Sequence, residues 1–173
     1  MWRKILFIAG FIISIVPGHA QQSSFGFTAG YLNVELELSD QSNNISEHSS
    51  GFYLGAVTDI SLSEAFQINF GAAYGNSDDT GFLFIPLMAK YFIAESGIYV
   101  QAGPQASFIF KKNDNANFQT LGADIGFGAG YNINNNLFIE AKYFLGLTNR
   151  LEGLSETSDL KMNTLILGLG YKI

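Results

Sequence analysis

The chain has 173 residues, 47% of them hydrophobic and only 14% charged, with 15 acidic against 9 basic side chains and no cysteine. The acidic balance argues against nucleic acid as a partner, and the lack of cysteine removes both a disulfide framework and a thiolate metal site. A charged fraction well below the ~25% of ordinary soluble domains leaves the apolar residues two outlets, a sheet core or lipid.

Residues 1–20, MWRKILFIAGFIISIVPGHA, place Arg3 and Lys4 before an apolar run from Ile5 to Val16, followed by Gly18 and Ala20 at the spacing read by signal peptidase. This predicts a secretory signal cleaved after Ala20. The run is shorter than the ~20 residues of a membrane-spanning helix, and no later stretch is longer. Loss of Arg3 and Lys4 moves the formal net charge from -6 to -8. Residues 21–173 are of one-domain size.

That remainder reads with a period of two and predicts eight strands, at 24–38, 50–62, 66–76, 80–93, 98–112, 120–133, 137–151 and 160–173. Strand one carries Phe25, Phe27, Ala29 and Tyr31 on one face, then Leu32, Val34, Leu36 and Leu38 on the other. A bulge near Asn33 or an extension above a membrane would account for that change. Strands two and three place Asp59 and Asn69 on their non-apolar faces. Strand four, GFLFIPLMAKYFI, is apolar on both faces, and setting Lys90 inside takes Phe82, Phe84, Pro86 and Met88 inside with it.

Strand five sets Ile98, Val100, Ala102, Pro104, Ala106, Phe108 and Phe110 against Tyr99, Gln101, Gly103, Gln105 and Ser107. Strand six sets Leu121, Ala123, Ile125, Phe127, Ala129 and Tyr131 against Gly122, Asp124, Gly126, Gly128 and Gly130. Its glycines, with Gly103, are expected to leave room for the rings of strand four. Strand seven opposes Leu137, Ile139, Ala141, Tyr143 and Leu145 to Phe138, Glu140, Lys142 and Phe144. Strand eight opposes Leu165, Leu167, Leu169 and Tyr171 to Thr164, Ile166, Gly168, Gly170 and Lys172.

Short connections at 63–65, 94–97 and 134–136 alternate with mostly longer polar ones at 39–49, 76–79, 113–119 and 152–159, of which 76–79 is brief. Together with strands long enough for the ~9–11 residues of a tilted membrane strand, this is the pattern of an up-and-down outer-membrane barrel. A soluble lipocalin-like carrier of an apolar ligand would use the same alternation with the faces reversed. The polar face decides between them. It holds Gly, Ser, Asn, Gln and a few isolated charges, which suit a crowded lumen better than a surface open to water.

The expected lipid-facing set therefore includes Leu121, Ile125, Phe127, Leu165, Leu167 and Leu169. Aromatic residues near strand ends, Phe66, Tyr74, Tyr91, Tyr99, Tyr131, Phe138 and Tyr171, are expected as interfacial girdles. Counted from the short turns, Asp59, Lys90, Glu140 and Lys142 lie at similar depth, predicting a lumen charge network with Gln101 and Asn69. The alternative, that some of these charges reach the aqueous rim, applies most to Lys172, and Asp124 is left without a named partner.

No catalytic, cofactor or metal site is predicted. His48 is the only histidine after residue 20, and Glu140 with Lys142 reads as a structural ion pair. A lipid-modifying enzyme built on those three residues remains an alternative. The acidic loop residues Asp78, Asp79, Asp114, Glu152, Glu156 and Asp159 read as solvated.

The segments IPLMAKYFI, IYVQAGPQASFIF, ADIGFGAGYNINNNLFIEAKYFLGLTN and LILGLGYKI resemble the outer-membrane β-barrel domain family of Bacteroidetes, often called PorT-like. The resemblance covers residues 21–173 and implies an all-β, eight-stranded antiparallel barrel in the outer membrane of a Gram-negative envelope. The terminal LGLGYKI is similar to the signal read by the barrel-assembly machinery, with Tyr171 two residues before Ile173. The expected partners are outer-membrane lipid, that machinery during biogenesis, and an extracellular or envelope protein reached through 39–49, 113–119 and 152–159. The expected role is structural or interactive, through acidic polar external loops, with a lumen filled by side chains.

Overall fold

A computed structural model describes residues 23–40, 43–77, 80–111, 120–150 and 159–173. The expected signal segment 1–20 lies outside the described residues, as do the segments 113–119 and 152–158. Eight strands follow in order: β1 Ser23–Asp40, β2 Asn43–Ser61, β3 Phe66–Ser77, β4 Thr80–Phe92, β5 Ile98–Lys111, β6 Leu121–Asn132, β7 Leu137–Gly146 and β8 Asp159–Lys172. Each pairs antiparallel with the next, and β8 returns to pair with β1, closing the barrel. Closure satisfies the backbone donors and acceptors between strands, as a bilayer requires.

The outward face is apolar around the whole circumference. Leu54, Phe70, Leu87, Val100, Phe127, Leu145, Leu167 and Leu169 are all exposed. No soluble sheet leaves such a continuous belt to water, because each ring or branched side chain would forgo ~1.5–3 kcal/mol of burial. Leu121 and Ile125 belong to this belt, and Leu165 is half-buried within it.

Two boundaries differ from the sequence expectation. The segment 39–49, expected as a loop, is mostly strand, because β1 and β2 continue upward as a hairpin to Asp40 and Asn43. Strand β7 ends at Gly146 rather than at 151. The Ala94–Ser96 connection forms a single 3-10 turn closed by Gly97 in the left-handed region, at φ 75°, where a side chain would be strained.

The change of phase in β1 has a clear cause. Pairing runs without interruption through Asn33, opposite Ser50 on one side and Leu165 on the other, so there is no bulge. The strand keeps its alternation, and the medium outside it changes. Up to Tyr31 the outward residues are apolar; beyond it Asn33, Glu35 and Glu37 take that row while Leu32 and Val34 are fully buried inside. The upper part of β1, β2 and β8 thus stands above the lipid and follows the ordinary rule of apolar inside and polar outside.

Inside, Leu32, Val34, Tyr53, Phe82, Phe84, Met88, Phe144, Met162 and Ile166 form a contiguous apolar cluster. Phe82 and Phe84 stack with ring centroids 6.0 Å apart. Phe82, Phe84 and Met88 do face inward, and Lys90 lies directly below them on the same side of β4.

Candidate functional site: a plugged, ion-paired lumen

Below the apolar cluster the lumen is polar, and the strand registers explain its composition. Asp59 on β2 sits opposite Asn69 on β3, while Lys90 on β4 sits opposite Gln101 on β5. Alternation turns all four inward. Asn69 Nδ2 donates to Asp59 Oδ1 at 2.7 Å, and Lys90 Nζ donates to the same oxygen at 3.0 Å. Lys172 Nζ, from β8, lies 2.9 Å from Asp59 Oδ2. One carboxylate therefore ties together β2, β3, β4 and β8. Lys172 joins the network and does not follow the rim alternative: it turns in to Asp59, with only 13% of its side chain exposed, because a buried carboxylate facing two cations is better compensated than one facing a single cation.

A second carboxylate organises the other half. Glu140 and Lys142 lie two apart on the inner face of β7 and pair at 2.5 Å. Gln101 Nε2 donates to Glu140 Oε2 at 3.1 Å, and the Tyr99 hydroxyl approaches the same oxygen at 3.4 Å. These contacts span from β5 to β7, across β6. They are possible because β6 presents Gly128 and Gly130 at that height: a Cβ on Gly130 would collide with the Tyr99 ring, and one on Gly128 with the Lys142 stem and the Ala141 carbonyl. The glycines of β6 form a trough through which residues on its two neighbours meet.

This corrects two sequence expectations. The glycine space is taken by Tyr99, Lys142, Phe144 and Arg150, which lie against Gly130, Gly128, Gly126 and Gly122 respectively, and not by the rings of strand four. Gly103 instead lies close to the β4 backbone at Leu87 and Met88. Tyr99 and Phe138 are buried in the lumen and do not belong to the interfacial girdle. Both share the parity of an inward polar residue on the same strand, Gln101 and Glu140, and a strand-end position cannot override the pleat. Their rings receive cations: Lys90 Nζ lies 4.9 Å from the Tyr99 centroid, and Lys172 Nζ lies 5.3 Å from that of Phe138, in the range of a favourable cation–π contact. Tyr74, Tyr91, Tyr131 and Tyr171 are exposed on the outer face and Phe66 is half-buried there, consistent with their place in the girdle.

A separate cluster lies in the upper half, against the β5–β6 wall. Asp124 Oδ2 accepts from Ser107 at 2.6 Å and from Gln105 at 3.0 Å. Arg150, just beyond β7, turns back into the barrel, where its Nη2 donates to the Ser107 hydroxyl at 2.6 Å and lies 3.8 Å from Asp124 Oδ1. Arg150 is the partner that sequence reasoning missed for Asp124. The signal was present, because Arg150 has the parity of Lys142 and Phe144, and Gly122 leaves space for its guanidinium.

The possible enzymatic residues are not assembled. His48 lies on the outer face of the extension, its ring 60% exposed and 3.7 Å from Glu35, whereas Glu140 and Lys142 are enclosed in the lower lumen. Among the described residues no group of three or more His, Asp and Glu side chains is placed to hold a metal ion.

A model of the outer membrane protein beta-barrel domain matches residues 21–172. The chain belongs to this family. As an outer-membrane barrel it resides in the outer membrane, which fixes the apolar belt as its lipid-facing surface. Neisserial surface protein A has a similar fold, with a TM-score of 0.54 at 14% identity over 88% of this chain and 100% of that one. So does the attachment invasion locus protein Ail of Yersinia pestis, solved with a heparin analogue, at TM-score 0.51 and 17% identity over 88% and 99%. The outer membrane enzyme PagL aligns at TM-score 0.52 and 15% identity over 82% and 98%. At these identities the likeness is one of fold alone. A comparison with curated proteins gave no match.

Proposed function

We propose that this outer-membrane barrel is a non-conducting, non-enzymatic structural or interaction protein that acts through its outer surface. The observation that carries this reading is the filled lumen. Tyr99 and Phe138, two carboxylate-centred ion clusters, the apolar cluster around Phe84 and finally Arg150 occupy it in succession. With the inside committed to packing, recognition is left to the polar extension of β1, β2 and β8 and to the loops at 113–119 and 152–158. The separation of His48 from Glu140 and Lys142 supports the non-enzymatic reading.

Within the family, the four segments IPLMAKYFI, IYVQAGPQASFIF, ADIGFGAGYNINNNLFIEAKYFLGLTN and LILGLGYKI support a place among the PorT-like barrels of Bacteroidetes. The N-terminal twenty residues act in this reading as an export signal, and the C-terminal LGLGYKI engages the barrel-assembly machinery. Reconstitution into planar bilayers tests the central claim. We expect no discrete conductance steps from the purified barrel; reproducible single-channel steps would overturn the plugged-lumen reading.

A further inference from the structure

The extension above the lipid has two sides, and they are finished differently. On the β8 side the chain just past β7 covers the edge: Arg150 N donates to the Leu160 carbonyl at 2.9 Å, and Leu160 N donates to Asn149 Oδ1 at 3.0 Å. On the β2 side, β3 stops at Ser77 opposite Gly51, yet β2 continues upward to Asn43. Residues Asn43–His48 pair with β1 on one side, and no described strand pairs with them on the other. Ser46, Glu47 and His48 are exposed. A strand in this position points the N–H and C=O of alternate residues away from its partner, ready to template another strand.

Three common protections of such an edge, Pro, Lys and a bulge, are missing, and the charge it does carry, Glu47, is an acid. The segment NNISEH has no Pro and no Lys, and its pairing with β1 is regular, without a bulge. The edge is also held in place from behind, because β8 backs β1 as far as Ser39 opposite Asp159.

We propose that the β2 edge at Asn43–His48 is a docking site for an extended, basic segment of another polypeptide outside the cell, which adds to the sheet as a further strand. This rests on the interaction reading above and gives it a site and a partner chemistry. Backbone hydrogen bonds supply the docking mode, and the charge selects the partner. Glu47 stands exposed on the edge strand opposite Leu36, whereas Glu35 lies on the other face, opposite His48 and 3.7 Å from its ring. Lys161, the cation of this extension, lies on the far side, opposite Glu37. A Lys or Arg across from Glu47 makes a favourable cross-strand pair, and the net acidity of the chain steers a basic partner inward.

A second copy in the same membrane does not fit the edge. A twofold along the membrane normal brings the same edge of both copies together, running in the same direction, with equivalent residues level. A parallel ladder requires them offset by one residue, so donors would face donors.

The test uses the full chain in nanodiscs and a short fluorescent peptide of alternating Lys and Val. We expect saturable binding that weakens at least about tenfold when alternate peptide nitrogens are methylated, the scale of losing two or so hydrogen bonds, and that also weakens with Glu47→Lys. Methylation preserves charge, so equal binding of the methylated peptide would reduce the contact to electrostatics and overturn the proposal. Absence of binding would overturn it as well. Binding that appears only after 151–158 is shortened would assign the edge to the chain's own loop instead, and His48→Cys disulfide dimers in the nanodisc would assign it to a second copy. Channel steps in the bilayer assay would sink the plugged-lumen reading and leave peptide binding intact, so the two failures are distinguishable.

Discussion

Two regions of this barrel obey opposite rules. Within the lipid, the outer face is apolar and the lumen gathers Asp59, Lys90, Glu140, Lys142 and Lys172. Above it, in the upper part of β1, β2 and β8, Leu32, Val34 and Met162 fill the inside and Glu35, Glu37 and His48 face out. The same strands run through both regions without a break in register. Sidedness is therefore set by the surrounding medium, residue by residue, and not by the strand.

The lower lumen carries the largest expected effects. Asp59→Ala removes the anion shared by two lysines and leaves Lys90 buried without it, so we expect a loss of ~3–5 kcal/mol, visible as a much lower unfolding temperature on heat-modifiability gels. Unchanged stability would mean that water, not Asp59, compensates Lys90.

Next, Lys142→Met with Glu140 retained is expected to destabilise more than joint replacement of both by apolar residues, since only the single change strands a buried charge. Urea unfolding in detergent measures both variants, and equal losses would show that the two do not act as a pair.

A third test addresses the boundary itself. Leu167→Arg, within the belt opposite Tyr31, is expected to cost ~2–4 kcal/mol and to assemble poorly. Glu35→Arg, four residues above Tyr31 on the same outward row, is expected to change stability by less than ~1 kcal/mol. Comparable yields of folded protein from the two variants would erase the distinction between the regions.

Much of this was legible in the sequence because a pleated strand sends alternate side chains to opposite faces. Parity alone puts Asp59, Lys90, Gln101 and Glu140 on one side, and counting from the short turns puts them at one height. The misreadings came where another cue was allowed to outweigh parity. Tyr99 and Phe138 were expected at the interface because they lie near strand ends, although their neighbours two residues away face the lumen. Arg150 falls inside the expected strand at 137–151 with the parity of Lys142 and Phe144, so an inward place near Asp124 is legible for it in the sequence. The phase change at Asn33 was visible, but the sequence left a bulge and an extension equally open.

By itself the sequence determined the strands, their order, the two faces of each and the medium each face must meet, since all of these follow from the period of the pleat and the chemistry of alternate residues. Only the tertiary structure decided which side chains touch. Lys172 reaches Asp59 across β1, Glu140 reaches Tyr99 and Gln101 across β6, and Arg150 folds back over Gly122. These contacts span non-adjacent strands. They depend on closure and stagger of the barrel, and on glycines that open the wall between neighbours, which no single strand's pattern contains.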